Sequence, residues 1–377
     1  MIMNKYGGTA ANAGGNGENK PHPDMGVPYL LKNMGNPIFS RILPAPRHGG
    51  FRMDDYFIWC GSVVKGEDGR YHMFASRWRR ELGFGWQWLF NCEIVRAVSD
   101  DPIGPYTFAE VVFQRRERHY FDALNQHNPS IKFWNGTYYL YYFGTTYGGP
   151  IPGPGDTVPP ARAVEVWNNK RIGVATSKSV FGPWQRPDVP ALEPRRPGHW
   201  DCTITTNPSA AILPDGTTYL IYKSREYASS TLKLGIAKAP TPVGPFCRIS
   251  EDPSFNFANP DVHVEDPFIW YDRGLFHVVM KDDFKNDCGG LTGEWGAGVY
   301  ATSRDCMDWA IHPEPKAYPR SVRWDDGTVT RPCNLERPNF LIEDGTPTHL
   351  FLATGNGSAP YRFDGVSWNM VIPLAPA

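Results

Sequence analysis

The chain has 377 residues, with 38 basic against 39 acidic side chains and a net charge of −1. That balance excludes the basic surfaces that bind nucleic acid or anionic membranes, and no apolar run approaches the roughly 18 residues of a spanning helix. Aromatics make up 14%, with 38 Gly and 36 Pro, a mixture suited to short strands, many turns and sugar-facing aromatic surfaces.

Residues 1–35, rich in Gly and Asn, lack the apolar core of a signal peptide and read as a flexible leader to a single domain over 36–377. The seven cysteines are odd in number and have no C-x-x-C spacing. They argue against a zinc site or a disulfide framework and for a reducing cytoplasm, or for a secreted or periplasmic protein if a signal peptide has been removed. Five hairpins then follow in order: "CGSVVKGEDGRYHMFAS" from Cys60, "NPSIKFWNGTYYLYY" from Asn128, "NPSAAILPDGTTYLIYKS" from Asn207, "DPFIWYDRGLFHVVM" from Asp266 and "RPNFLIEDGTPTHLFLAT" from Arg337. Each has a short apolar strand, a turn glycine (Gly69, Gly136, Gly216, Gly274, Gly345) and a second, aromatic-rich strand. Four are followed by a third strand, a polar turn that often ends Gly-Pro-aromatic, and a fourth strand, as in "RIGVATSKSVFGPWQR" from Arg171.

Four strands per unit and five units predict an all-β, five-bladed β-propeller of four-stranded antiparallel blades, its ring closed by an N-terminal strand near Asn36–Leu43. A β-sandwich is the competing architecture. In a propeller the first strand of each blade lines the central channel, so Cys60, Asn128, Asn207, Asp266 and Arg337 should converge. Glu265 and Glu336 immediately precede the last two. Polar openings on apolar strands are costly unless they serve a wet pocket. Asp54, Asp122 and Asp201 each stand six residues upstream of their blade's opening, an even offset that puts them on the channel face if the chain is extended. Asp55 competes with Asp54, and turn-capping is the alternative role for any of the three.

The pattern resembles the five-bladed propeller glycoside hydrolases: the family 43 arabinanases and xylosidases, the fructan-cleaving families and the anhydrogalactosidases of family 117. Those families carry an Asp in the first blade, an Asp in a central blade and a Glu in an E-x-P motif of the fourth. "VEDPFIWY" supplies E-x-P, so the resemblance implies that Glu265 is the general acid. The first-blade Asp-Pro is replaced by Cys60-Gly61 and the central one by Asn207-Pro208, which marks a divergent relative and leaves Asp54 and Asp201 as displaced substitutes.

The chemistry justifies these residue types independently. Glycoside cleavage needs one carboxylic acid to protonate the leaving oxygen and one carboxylate to activate water or attack the anomeric carbon; a third carboxylate beside the acid raises its pKa. The expected catalytic set is Asp54, Asp201 and Glu265, with Glu336 of "LERPNF" as the other acid candidate. Trp59, Asp122, His127, Asn128, Asn207, Asp266, Glu336 and Arg337 are the expected substrate contacts. An exo-acting glycoside hydrolase on an oligosaccharide is the leading function, and a non-catalytic propeller binding carbohydrate or a partner protein is the rival. No cofactor is required on this reading; a central structural ion is left open, and neither nucleic acid nor membrane is an expected partner. The Pro/Gly stretch Gly148–Ala163 is an insertion that would wall one side of the pocket; Ser76–Trp88 is a similar insertion whose Arg77, Arg79 and Arg80 read as a solvated turn in preference to contacts with an acidic or sulfated sugar.

Overall fold

The computed structural model describes residues 36–227, 231–359 and 362–377; the expected leader, residues 1–35, lies outside them. Blade one is β1 (Tyr56–Lys65), β2 (Tyr71–Arg79), β3 (Glu93–Ser99) and β4 (Thr107–Val111), paired in that order. Blade two has β5 (Asn125–Trp134), β6 (Thr137–Thr145) and β7 (Arg171–Ser177), its outer edge reduced to the bridges Thr176–Gln185 and Ile172–Leu192. Blade three comprises β8 (Thr206–Ile212), β9 (Thr218–Ser224), β10 (Lys233–Ala239) and β11 (Cys247–Arg248). Blade four comprises β12 (Val264–Asp272), β13 (Leu275–Asp282), β14 (Gly298–Ser303) and β15 (Ala310–Tyr318). After a small ribbon, β16 (Val322–Arg323) and β17 (Val329–Thr330), blade five is formed by β18 (Asn334–Glu343), β19 (Thr346–Ala359) and β20 (Arg362–Pro373). The result is the five-bladed antiparallel propeller. N-terminal residues close the ring through single bridges, Ile42 to Leu374 and Phe51 to Asn369, where a continuous strand was expected; Phe39–Arg41 forms a 3-10 turn instead.

The core is divided into five layers, one between each pair of neighbouring blades. Phe74, Ile131 and Leu140 pack blade one on two; Tyr141, Leu220 and Tyr222 pack two on three; Ile221, Ile269 and Val278 pack three on four. Phe268, Phe340 and Leu350 join four to five, and Ile58, Phe351 and Val371 close five on one. Both faces of the inner strands are therefore buried, which is why their apolar runs are nearly continuous.

The hairpin turns Asn135-Gly136, Arg273-Gly274 and Asp344-Gly345 hold positive φ at both residues, the backbone that matches strand twist in two-residue loops. A second regularity was not visible in the pattern. Each inner strand slips register at its blade opening, at Trp59/Ser62, His127/Ser130, Thr206/Ser209, Glu265/Phe268 and Glu336/Asn339, and β18 slips again at Leu341/Ile342. At each bulge the blade-opening residue adopts φ between 54° and 57°, a region that Asn and Asp tolerate and that Cys and Arg rarely enter. The two insertions run into short helices that extend beyond them, α1 (Trp88–Asn91) and α2 (Pro160–Asn168), which pack together through Trp86, Trp88 and Trp167. Among the described residues no helix is long and apolar enough to cross a membrane.

Candidate functional site

The five bulged residues meet at the axis and bond one another. Cys60 Sγ donates to Asn128 Oδ1 at 2.8 Å, Asn128 Nδ2 to Asn207 Oδ1 at 2.7 Å, Asn207 Nδ2 to Asp266 Oδ1 at 2.7 Å, and Arg337 Nη1 to the same Asp266 oxygen at 2.8 Å. Burial pushes the Cys60 thiol up, against the pull of Arg337, so it remains a neutral donor. The belt answers why the strands open on polar residues: the groups satisfy each other across blades. The wet pocket expected there is not what they line, since the space beside the belt is about 10 Å³, roughly one water. The belt's single carboxylate already accepts from an amide and a guanidinium, and among the described residues no group of three or more His, Cys, Asp or Glu could hold a metal ion.

The residues one step before the belt, Trp59, His127, Thr206, Glu265 and Glu336, form the next layer, each opposite a residue of its blade's second strand. The cross-strand partners are Ser76, Phe143, Lys223, Lys281 and Ala353. Two adjacent blades thus set a buried lysine beside a buried glutamate. Lys281 Nζ lies 3.2 Å from Glu265 Oε2, 2.8 Å from Glu336 Oε1 and 3.5 Å from Asp283 Oδ1. Lys223 Nζ lies 3.4 Å from Glu265 Oε1 and 3.7 Å from Asp266. Asp283 also accepts from Trp295 Nε1 and pairs with His263 Nε2, both at 3.0 Å. Three carboxylates from blades four and five therefore surround one ammonium that is itself 0% exposed.

His127 completes the layer on the blade-two side. The Asn128 N–H donates to Ser76 Oγ, which is in hydrogen-bond contact with His127 Nδ1 at 2.5 Å, and Cys92 Sγ stands 3.5 Å from the same ring nitrogen. Burial, helped by Arg337, Lys170 and Lys223, holds its pKa well below the ordinary histidine value, so the imidazole is neutral. Trp88 stands 5.2 Å from that ring, and Lys170 caps the face of Trp167. Trp59 is buried behind Phe84 and Phe363, which meet it edge-on at 5.3 and 5.4 Å.

The three upstream aspartates do not join this layer, because the chain turns between them and the strands and the even-offset argument fails. Asp54 is exposed in a turn, and its carbonyl accepts from Arg80 at 2.6 Å; Asp55 is its exposed neighbour. Asp122 and Asp201 are fully buried in matching clusters. Asp122 accepts from Arg116 and Arg186 at 2.7 Å and from Tyr142 at 2.5 Å. Asp201 accepts from Arg195 at 2.5 Å, from Tyr222 at 2.8 Å and from Arg248. In both blades the preceding aromatic stacks on that tyrosine (Phe121 on Tyr142, Trp200 on Tyr222), over a glycine whose Cβ would come within 2.8 Å of the rings (Gly173, Gly235). These are blade-locking clusters. Burial alone would raise the Asp201 carboxyl, but hydrogen bonds from Arg195, Arg248 and Tyr222 outweigh it and leave it below its usual range. Glu265 accordingly has two ammoniums as partners where Asp201 was expected, and they favour its charged form. Asp54→Asn should leave stability within about 0.5 kcal/mol of wild type and leave turnover unchanged; a large loss of turnover in a folded variant would return Asp54 to the site.

Lys223, Lys281, Asp283 and His263 were not anticipated. A signal for the lysines was present: Lys223 and Lys281 each follow their turn glycine, Gly216 and Gly274, by seven residues, as Ser76 follows Gly69 and Phe143 follows Gly136.

No protein-family model matches the chain, and no curated protein does. Among solved structures, a family 117 glycoside hydrolase of the marine bacterium Zobellia galactanivorans superimposes with TM-score 0.59 at 16% identity, covering 89% of each chain. A second, described as a glycoside hydrolase, gives 0.61 at 14% identity over 92% of this chain and 94% of that one. The arabinanase of Bacillus subtilis gives 0.52 at 16% identity over 86% and 95%. At these identities what the chain shares with them is the five-bladed propeller fold.

Proposed function

We propose that this protein is a glycoside hydrolase that removes sugars from the end of an oligosaccharide, with Glu265 as general acid and Glu336 as the partner carboxylate. The observation that carries the reading is the pair itself: two buried glutamates from neighbouring blades, held by one lysine at the axial end of a propeller. Oxygens bridging one ammonium at these distances are at most about 6 Å apart, an upper bound that reaches the roughly 5 to 5.5 Å between the carboxyl groups of retaining glycosidases. To act as the acid, Glu265 must take up a proton in the substrate complex against the pull of Lys223 and Lys281; it then gives that proton to the glycosidic oxygen as the bond to the anomeric carbon breaks. Glu336, as a carboxylate, takes a proton from the attacking water or bonds the anomeric carbon itself. The neutral imidazole of His127 offers a ring nitrogen to a sugar hydroxyl. The belt closes the channel behind these groups, and α1 and α2 wall one side, an arrangement suited to a chain end.

The rival reading, a carbohydrate-binding propeller without chemistry, is favoured by Cys60 and Asn207 at the two positions where the resembling enzymes carry aspartate. Arabino-, xylo-, fructo- and neoagaro-oligosaccharides, screened by reducing-end release and by saturation-transfer NMR, separate the two. Release of single sugars from one of them is the expected result. Binding without release would establish the rival.

A further inference from the structure

On the outward side of the glutamate layer, between blades three and four, lies a cleft of about 270 Å³. Its walls include Trp200, Lys233, Asn256, Phe257, Val262 and His263. Phe257 and Val262 are half-buried and Asn256 is exposed, so the cleft opens to solvent. It sits at the same end of the blades as the glutamates, for Lys233 pairs with Ser224, the neighbour of Lys223. His263 is the shared wall. It lines the cleft, while its Nε2 meets Asp283 at 3.0 Å, and Asp283 is 3.5 Å from the Lys281 ammonium that holds Glu265 and Glu336. Val264, another lining residue, directly precedes Glu265.

We infer that this cleft is a subsite for a neighbouring sugar of the same oligosaccharide, one unit away from the bond at Glu265. This rests on the hydrolase reading for the position of the bond, though not for the binding itself. The chemistry of the walls fits a sugar ring. Aromatic faces at Phe257 and Trp200 suit its C–H surface, and the amide of Asn256, the ammonium of Lys233 and the carboxylate of Glu226 can meet its hydroxyls. The volume is below that of most drug-sized pockets and of the order of one or two sugar rings. The nearness of the cleft to the glutamate layer, through His263, Asp283 and Lys281, favours a neighbouring unit of the substrate chain as the occupant over an unrelated metabolite.

The test fills the cleft with Val262→Trp and, separately, strips it with Phe257→Ala, in the full chain. Each is assayed on an aryl monoglycoside and on two-, three- and four-unit members of the oligosaccharide series the wild type accepts, and binding is read by saturation-transfer NMR. The expected result is an unchanged rate on the aryl monoglycoside and a rise of about tenfold in KM or Kd for the longer oligosaccharides in at least one folded variant. Equal behaviour of wild type and both variants on every length overturns the subsite and leaves the hydrolase standing. Length-dependent binding that is lost in the variants, with no cleavage by the wild type, upholds the subsite and overturns the hydrolase. Neither binding nor cleavage of any oligosaccharide by the wild type overturns both.

Discussion

Glu265→Gln is expected to lower turnover on an unactivated glycosidic linkage by roughly 10²–10⁴-fold, the usual contribution of a positioned acid. An activated aryl glycoside, whose leaving group needs little protonation, should lose far less. Glutamine keeps the shape of the side chain between Lys223 and Lys281 and removes only the transferable proton and the charge. Because both lysines favour a charged partner, the variant's melting curve belongs in the same experiment. An equal loss on both substrates would assign Glu265 to the base or nucleophile role and move the acid to Glu336, the other glutamate on Lys281. Full activity on the natural linkage in a folded variant would remove Glu265 from the chemistry altogether.

Asp201→Asn should instead act on stability. The carboxylate is fully buried and joins Arg195, Arg248 and Tyr222. Removing it leaves the Arg248 guanidinium without its counter-charge and Arg195 with only the exposed Glu251, a change that costs about 3 kcal/mol or more. The effect has a defined pH dependence. The folded carboxyl lies below its usual range, so its contribution is present above the ordinary carboxylate pKa of about 3.9 and is lost as pH falls toward the lower folded value. Denaturant midpoints of wild type and variant should therefore differ by a constant amount at neutral pH and converge below about pH 4. An unchanged midpoint with abolished turnover would show that Asp201 serves catalysis after all. Asp122→Asn, in the equivalent cluster of blade two, tests whether the device is general.

The propeller was legible in the sequence because a blade is a local object. Hairpin turns such as Asn135-Gly136 and the aromatic strands that follow report on neighbours a few residues away, and five repeats in register leave little freedom in how they pack. Convergence of Cys60, Asn128, Asn207, Asp266 and Arg337 followed from the same repeat. What those residues do there did not, because a hydrogen bond between Asn128 and Asn207 spans 79 residues and depends on the bulge that turns each strand at the axis. The aspartates failed for a related reason. Spacing alone supplies an offset only while the chain is extended, and the turns before β5 and β8 send Asp122 and Asp201 into arginine clusters whose partners come from outside the hairpin. Glu265 and Glu336 could be singled out because their motifs are local. Their common partner could not: Lys281 reaches Glu265 across one strand pair and Glu336 across a blade boundary, and only the closed ring brings those three charges to one point.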